Sequence, residues 1–372
     1  MRGERRKVNY APYVIPFAAA FFLAIVATPL IINLAKRYGI VDKPAKRKVH
    51  KIATPRLGGL AMVASFLVIC LYFIFFEPGM MEFWKEKVLG IDKHFLGYLW
   101  GALILVAVGA YDDIYNLRPW KKFLWQVVAA IIVVGFGVGV GTITNPFGGL
   151  IHLDHFRIPV GFLGLDNIVP LADIAAIIWI VVVINVVNWL DGLDGLAAGV
   201  SGIAALSLFA LALLPIVNQP AVALIAIILA GSIAGFIPYN FFPAKIFMGD
   251  SGSMFLGYSL AVFSIISGGK IATAFLVLGF PILDAIWVIS RRIINKQPIW
   301  QADRKHLHHR LLDLGLSQRK VVVSIYILAA IFGIIAVLSG SMGKLITLVV
   351  LAGIMIVLGS GLVYFEWRKK HA

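Results

Sequence analysis

Residues 177–200 read Ile177-Ile-Trp-Ile-Val-Val-Val-Ile-Asn185-Val-Val-Asn188-Trp-Leu-Asp191-Gly-Leu-Asp194-Gly-Leu-Ala-Ala-Gly-Val200, a polar knot between two apolar runs. Its four polar side chains recur every third residue. Nine residues of continuous α-helix turn through about 900°, which would put Asn185 opposite Asp194, so one helix face cannot present all four. The Asp-Gly pairs at 191–192 and 194–195 signal a turning backbone instead. The stretch therefore predicts a membrane helix ending in Asn185 and Asn188, a tight loop holding Asp191 and Asp194, and a second helix. A polar helix cap is the plainer reading, but it does not account for two acids, two amides and two glycines together. Polar groups at the ends of membrane helices are costly and mark functional sites by default.

The same alternation fills the chain. Of its 372 residues 60% are hydrophobic and 14% charged, with a mean hydropathy of +0.93. A soluble domain carries nearer a quarter charged residues, so an all-α integral membrane protein is expected, in one domain over 1–372. At about 20 apolar residues per crossing, the candidate spans are 12–34, 57–76, 94–111, 123–143, 169–188, 196–214, 221–241, 253–268, 271–292, 321–340 and 344–364. That makes about eleven, or about ten if the short 253–268 is re-entrant. The run from Pro12 to Ile32 is too long for a signal-peptide core and reads as a retained span.

With an odd number of spans, loops 35–56, 112–122, 189–195, 242–252, 293–320 and the tail 365–372 share one face. They carry most of the 33 lysines and arginines, which makes that face cytoplasmic. The basic start, Met1 to Lys7, runs against this assignment. The net charge of +15 is read as topology signal and headgroup contact; no basic groove interleaved with aromatics points to nucleic acid. Cys70, in an apolar run, reads as a small buried hydrophobe, and no Cys/His zinc spacing exists. Turn signals around alternating residues in 144–168 predict a small hairpin on the other face.

Four more polar stretches fall on the cytoplasmic side. Asp112-Asp113 ends a span and is followed by Asn116, Arg118, Lys121 and Lys122. Adjacent acids can share a cation or a proton, and the basic residues suit phosphate, whereas a solvated helix end is the bland alternative. In Phe247-Met-Gly-Asp250-Ser-Gly252, Asp250 or Ser251 is placed to cap the next helix, and the glycines allow close backbone approach. Asp250 with Asn188 and waters would suit Mg²⁺. Asp303-Arg304-Lys-His306-Leu-His308-His309-Arg310 reads as phosphate and sugar contacts rather than zinc. Lys36 to Arg56 contains eight basic residues, most of whose charges read as orientation signals, together with His50 and the start of Thr54-Pro-Arg-Leu-Gly-Gly59. Asp173 and Asp284 lie inside spans and read either as functional acids or as paired structural carboxylates. Pro281 is expected to bend its span and open a lateral groove.

In this order, the segments Thr-Pro-x-x-Gly-Gly, Asp-Asp, Asn-x-x-Asn-x-x-Asp-Gly-x-Asp-Gly, Phe-Met-Gly-Asp-x-Gly and the histidine cluster resemble the polyprenyl-phosphate N-acetylhexosamine-1-phosphate transferases (glycosyltransferase family 4). The histidine stretch is similar to the WecA/TagO-type branch. The MraY-type branch typically carries three consecutive histidines and a lysine where this chain has Asn116. The resemblance implies an MraY-like fold with a cytoplasmic-face active site in a bacterial inner membrane. It implies GlcNAc-1-phosphate transfer from UDP-GlcNAc to undecaprenyl phosphate, releasing UMP and opening synthesis of a teichoic acid, an O-antigen or a similar envelope polysaccharide. It further implies Mg²⁺, with Mn²⁺ as a substitute, held by Asp250 and Asn188. Asp112, with Asp113 beside it, would deprotonate or orient the lipid phosphate. Lys122 would contact diphosphate; Asn116, Asn185, Asp191, Asp194, Arg304, His306, His308 and His309 would bind substrate. A homodimer is compatible with this reading. Direct attack and a two-step aspartyl-phosphate route both remain open.

Two rivals stand beside it. One is an MraY-type enzyme using UDP-MurNAc-pentapeptide. The other, from a different class, is a transporter or lipid flippase, which broken helices and intramembrane acids would also suit; transporters place such groups near the midplane, not at one mouth.

Overall fold

The computed structural model describes residues 10–42, 53–83, 86–159, 167–268, 271–296 and 306–371. It is mostly helical: α1 Ala11–Arg37, α2 Gly58–Phe76, α3 Lys93–Tyr115, α4 Pro119–Gly135, α5 Pro170–Leu190, α6 Leu196–Ala212 and α7 Pro220–Asn240 lead to α8 Gly249–Ile266. Then follow α9 Ile271–Val277, α10 Gly279–Ile294, α11 Leu307–Asp313, α12 Gln318–Leu338 and α13 Ser341–His371. Three two-stranded antiparallel pairs decorate the loops: β1 Val41–Asp42 with β2 Thr54–Pro55, β3 Lys87–Val88 with β4 Ile91–Asp92, and β5 Thr142–Thr144 with β6 Leu150–His152. The last is the expected hairpin, with Ile143 opposite Ile151.

Every expected span meets a helix or a bent helix pair. Among the described residues, seven helices are long and apolar enough to cross a bilayer alone, or eight if α9 and α10 form one broken span. The other expected spans coincide with α4, α6 and α8. The expected span 123–143 is displaced. Pro119 opens α4 at its first turn, and the helix ends at Gly135, with Gly137 in the left-handed region beyond it (φ 95°). Residues 136–141 are apolar but too rich in glycine to continue a helix. Proline likewise sits in the first turn of α1, α5 and α7, where its missing N–H has no intrahelical partner to lose.

The span holding Pro281 is broken, by 77° between α9 and α10. The break falls at Leu278, because Pro281 has no N–H to give the carbonyl of Val277, while Ile282 N–H resumes bonding to Leu278 O at 2.9 Å.

The core is built on α7 and α8. Every residue of α8 from Ser251 to Ile266 is buried, and α7 is buried almost all round. Helices apolar on every face belong inside a bundle. α8 packs against α2, α3 and α5, and α7 against α1, α2 and α6. Cys70 is fully buried in this core, as expected. Asp173 is a structural carboxylate: it accepts Val169 N–H at 2.8 Å and caps α5 at the end remote from Asn188.

Candidate active site

The N-terminus of α8 is the centre of the site. Its first residues leave N–H groups without intrahelical acceptors, and an apolar protein interior makes that expensive. The sequence reading gave the capping to Asp250 or Ser251. The structure corrects this: both lie within the first turn, and the cap comes from Asp113 on α3. Asp113 Oδ1 accepts Asp250 N–H at 2.9 Å; Oδ2 accepts Ser251 N–H at 3.2 Å and the Ser251 hydroxyl at 2.9 Å. Gly249 is glycine because its backbone is left-handed (φ 75°) and a Cβ there would run into the Asp113 carboxylate.

Asp112 has a different fate. Its Oδ1 accepts Leu117 N–H at 2.5 Å, while Oδ2 faces Lys122 Nζ at 3.2 Å. Lys122, in the first turns of α4, also reaches Asp250 Oδ2 at 2.6 Å. One ammonium therefore lies between two carboxylates from different helices. Asn188, on the last turn of α5, donates Nδ2–H to Asp250 Oδ1 at 3.2 Å and to Ser253 Oγ at 2.9 Å. Asn116 ends α3 in the left-handed conformation (φ 52°), its N–H on Asp112 O at 2.8 Å, and its side chain is exposed at the rim.

Asn185 is a turn deeper. It donates to Gln126 Oε1 at 2.7 Å and to Val181 O at 2.8 Å, and Gln126 in turn faces Met254 Sδ at 3.7 Å. Gln126 stands one helical turn beyond Lys122 on the same face of α4. The sequence reading missed it, although a buried amide in an apolar run was the signal.

The turn after α5 matches the expected loop. α5 ends at Leu190, and Gly195 (φ 79°) precedes α6. Asp194 accepts Ala244 N–H at 3.0 Å, tying this turn to the one before α8. Burial, and then the neighbouring Asp250, Asp113 and Asp194, push the Asp191 carboxyl well above the usual carboxylate range; Arg56 opposes the shift.

The histidine segment closes the site over that turn. α11 begins after His306, and a Cβ on Gly192 would come within 2.8 Å of His308 Nε2 and 3.3 Å of His309 Nε2. His306, His308 and His309 form a continuous ring cluster, with His306 and His308 stacked at 5.6 Å and Trp189 6.4 Å from His306. His308 is buried with neither ring nitrogen hydrogen-bonded; burial, then His309 and His306, hold it well below its ordinary value. Asp284 also belongs here, as a paired carboxylate: it bonds His306 Nδ1 and Leu307 N–H, each at 2.9 Å. Arg304 lies outside the described residues.

The Thr54-to-Gly59 stretch does more than orient the chain. Phe247 N–H bonds Pro55 O at 2.9 Å, Gly58 N–H bonds Phe247 O at 2.9 Å, and Gly59 N–H bonds Met248 O at 2.8 Å. This mainchain clasp sets the approach to α8. Arg56 pairs with Asp42 at 2.8 Å.

Among the described residues, no three His, Cys, Asp or Glu side chains converge tightly enough to hold a metal unaided. Asp112 and Asp250 nevertheless share one cation already, with Asn188 beside them. Few carboxylates completed by ligand oxygens are what Mg²⁺ takes, so the residues present fit that ion.

The sequence profile described as glycosyl transferase family 4 matches residues 95–268, which include Asp112, Asp113, Lys122, Asn188 and Asp250. A Bacillus subtilis protein described as a probable undecaprenyl-phosphate N-acetylglucosaminyl 1-phosphate transferase is 35% identical over 335 residues, covering 87% of this chain and 84% of that protein. A Mycobacterium tuberculosis decaprenyl-phosphate N-acetylglucosaminephosphotransferase is 34% identical over 362 residues, covering 91% and 85%. A Desulforudis audaxviator phospho-N-acetylmuramoyl-pentapeptide-transferase is 29% identical over 354 residues, covering 87% and 97%.

Proposed function

The chain belongs to glycosyl transferase family 4, and from that membership we propose that it transfers GlcNAc-1-phosphate from UDP-GlcNAc to undecaprenyl phosphate in a bacterial inner membrane, at the cytoplasmic face. The observation that carries this reading is the Asp112–Lys122–Asp250 cluster at the N-terminus of α8, with His308 and His309 against the Gly192 turn. It offers charge of both signs to a diphosphate at one end of an apolar bundle.

In the reaction, an oxygen of the lipid phosphate attacks the β-phosphorus of UDP-GlcNAc. The bond to the α-phosphate bridging oxygen breaks, UMP leaves, and undecaprenyl-diphospho-GlcNAc forms. Little covalent chemistry falls to the protein, so positioning and charge stabilisation dominate. Asp112 keeps one oxygen for Lys122 rather than for backbone, and it accepts the proton of, or orients, the lipid phosphate. Lys122 is already within reach of both carboxylates and turns its ammonium onto the phosphates. Asp113, with both oxygens committed to α8, is a positioning residue. Asp250 and Asp112, with Asn188, would hold Mg²⁺, which when bound neutralises the diphosphate charge. The Bacillus subtilis and Mycobacterium tuberculosis relatives, whose descriptions name N-acetylglucosamine, are 35% and 34% identical against 29% for the pentapeptide transferase, which favours UDP-GlcNAc as donor.

The test is UMP release by purified protein with Mg²⁺, undecaprenyl phosphate and UDP-GlcNAc. UMP formed only when both substrates are present, and lost in Asp250→Asn, is the expected result. Turnover of UDP-MurNAc-pentapeptide in place of UDP-GlcNAc would reverse the donor assignment.

A further inference from the structure

Asp284 was read from sequence as an acid inside a span, and the reaction outlined above makes no use of it. It is 5% exposed, on the bent half-helix α10, and both of its oxygens are spent on one neighbour. Oδ1 accepts Leu307 N–H, the first N–H of α11, and Oδ2 meets His306 Nδ1. Those two bonds do different work. The first supplies an acceptor that the opening turn of α11 otherwise lacks, since no side chain of its own caps it. The second sets the histidine ring: an ionised carboxylate can only accept, so the proton must sit on Nδ1, leaving Nε2 for a ligand.

Leu307, His308 and Arg310 of α11 are buried, and the helix packs against α12. Between α10, α11 and α13 lies an apolar cavity of about 350 Å³, whose wall includes Asp284, Trp287, Leu307 and Met355. On that side α11 meets α10 through Leu307 and the two bonds to Asp284. The other side of α11 bears on Gly192, beside Asp191.

We propose that Asp284 is a positioning residue of the transferase reaction: it fixes the Nδ1–H tautomer of His306 and seats the histidine helix over the Asp191–Gly192 turn, so that this wall meets the sugar-nucleotide donor. The proposal rests on the donor reading given above. It also couples the tilt of α10, which follows from the break at Leu278, to the placement of the histidines.

Asp284→Asn separates the two bonds. Its amide oxygen still accepts from Leu307 N–H, so the cap survives. Its NH₂ then faces His306 Nδ1 and donates to it, which drives the ring proton to Nε2. The expected result is a KM for UDP-GlcNAc raised roughly 10- to 100-fold, with the KM for undecaprenyl phosphate and the thermal unfolding midpoint near wild type. The double variant Asp284→Asn/His306→Ala should be no worse than His306→Ala, because Asp284 acts through that ring. Nitrogen-15 NMR of histidine-labelled protein gives a readout independent of turnover, with the His306 signal identified by its loss in His306→Ala. Nδ1–H in wild type and Nε2–H in Asp284→Asn is expected. An Nε2–H tautomer in wild type, an unchanged donor KM in Asp284→Asn, or additive losses in the double variant would each overturn the proposal. A wild-type protein that shows the Nδ1–H tautomer but uses no UDP-GlcNAc overturns the donor reading, and with it the proposed role of the tautomer in donor binding.

Discussion

Asp112 and Asp113 are neighbours in sequence with opposite duties. Adjacent residues on a helix point about 100° apart, so one carboxylate can face the cleft while the other reaches α8. Asp113 makes three hydrogen bonds to two residues of that helix, whereas Asp112 keeps an oxygen toward Lys122. The histidines show a similar division: His306 is held by Asp284, while His308 is enclosed with both ring nitrogens unbonded. His308 gives the clearest pH prediction. Its folded proton affinity is depressed by burial and by His306 and His309, so the folded chain binds fewer protons there than the unfolded chain. Stability from this group is complete above the ordinary value of 6.5 and is lost as pH falls below it. The protection factors of α11 amides, that is exchange measured against the unstructured rate at each pH, should therefore fall between pH 7.5 and pH 5 in wild type. In His308→Phe that fall should shrink; an equal fall in both would remove His308 as its cause.

At the scale of elements, the site depends on α8 starting where it does. Two segments fix that point: α3, through the Asp113 cap and the close passage of Gly109, and residues 55–59 running into α2, through the mainchain clasp and the close passage of Gly59. Gly59 lies against Gly252, and Gly109 against Ser251, so closely that a methyl group at either would meet backbone rather than a movable side chain. Gly59→Ala should therefore destabilise the protein by about 1–3 kcal/mol, since overpacking against backbone cannot be relieved by a rotamer change. A thermal midpoint several degrees lower, with a greater loss of UMP release than of folded protein, is expected. A variant with both properties unchanged would show that α2 does not position α8. These contacts give Thr54 to Gly59 its place in the site: its mainchain partners, Phe247 and Met248, are far away in sequence, and no local pattern announces them.

Across the whole molecule, apolar runs end in polar turns, several of which gather around the start of α8, while the β5–β6 hairpin lies in the connection between α4 and α5. From the charge bias of the loops we propose that the site end is cytoplasmic. Single cysteines placed in a Cys70→Ala background test this. Asn116→Cys should react with a membrane-impermeant maleimide only in inverted vesicles, and Leu150→Cys only in intact cells. The reverse pattern would invert the topology and put the site on the wrong side for a nucleotide-sugar donor.

The helices, most of their approximate ends, the broken turn after Asn188, the hairpin and the meeting of Asp112, Lys122, Asn188 and Asp250 were legible in the chain. Each follows from forces that act locally. Apolar runs must satisfy their own backbone in lipid, proline and glycine restrict the dihedral angles next to them, and a charged group is expelled to a helix end. Where α4 stops was misread because hydropathy does not weigh glycine against helix, and residues 136–141 are apolar and flexible at once. The roles within the cluster were decided only by the tertiary structure. Whether a buried carboxylate caps a helix, aims a histidine or faces the cleft depends on which donors arrive beside it. For Asp113 those donors are Asp250 and Ser251, and for Asp284 they are His306 and Leu307, all brought by other helices. A carboxylate's chemistry is the same in every sequence; its duty is set by the hydrogen bonds that folding leaves for it.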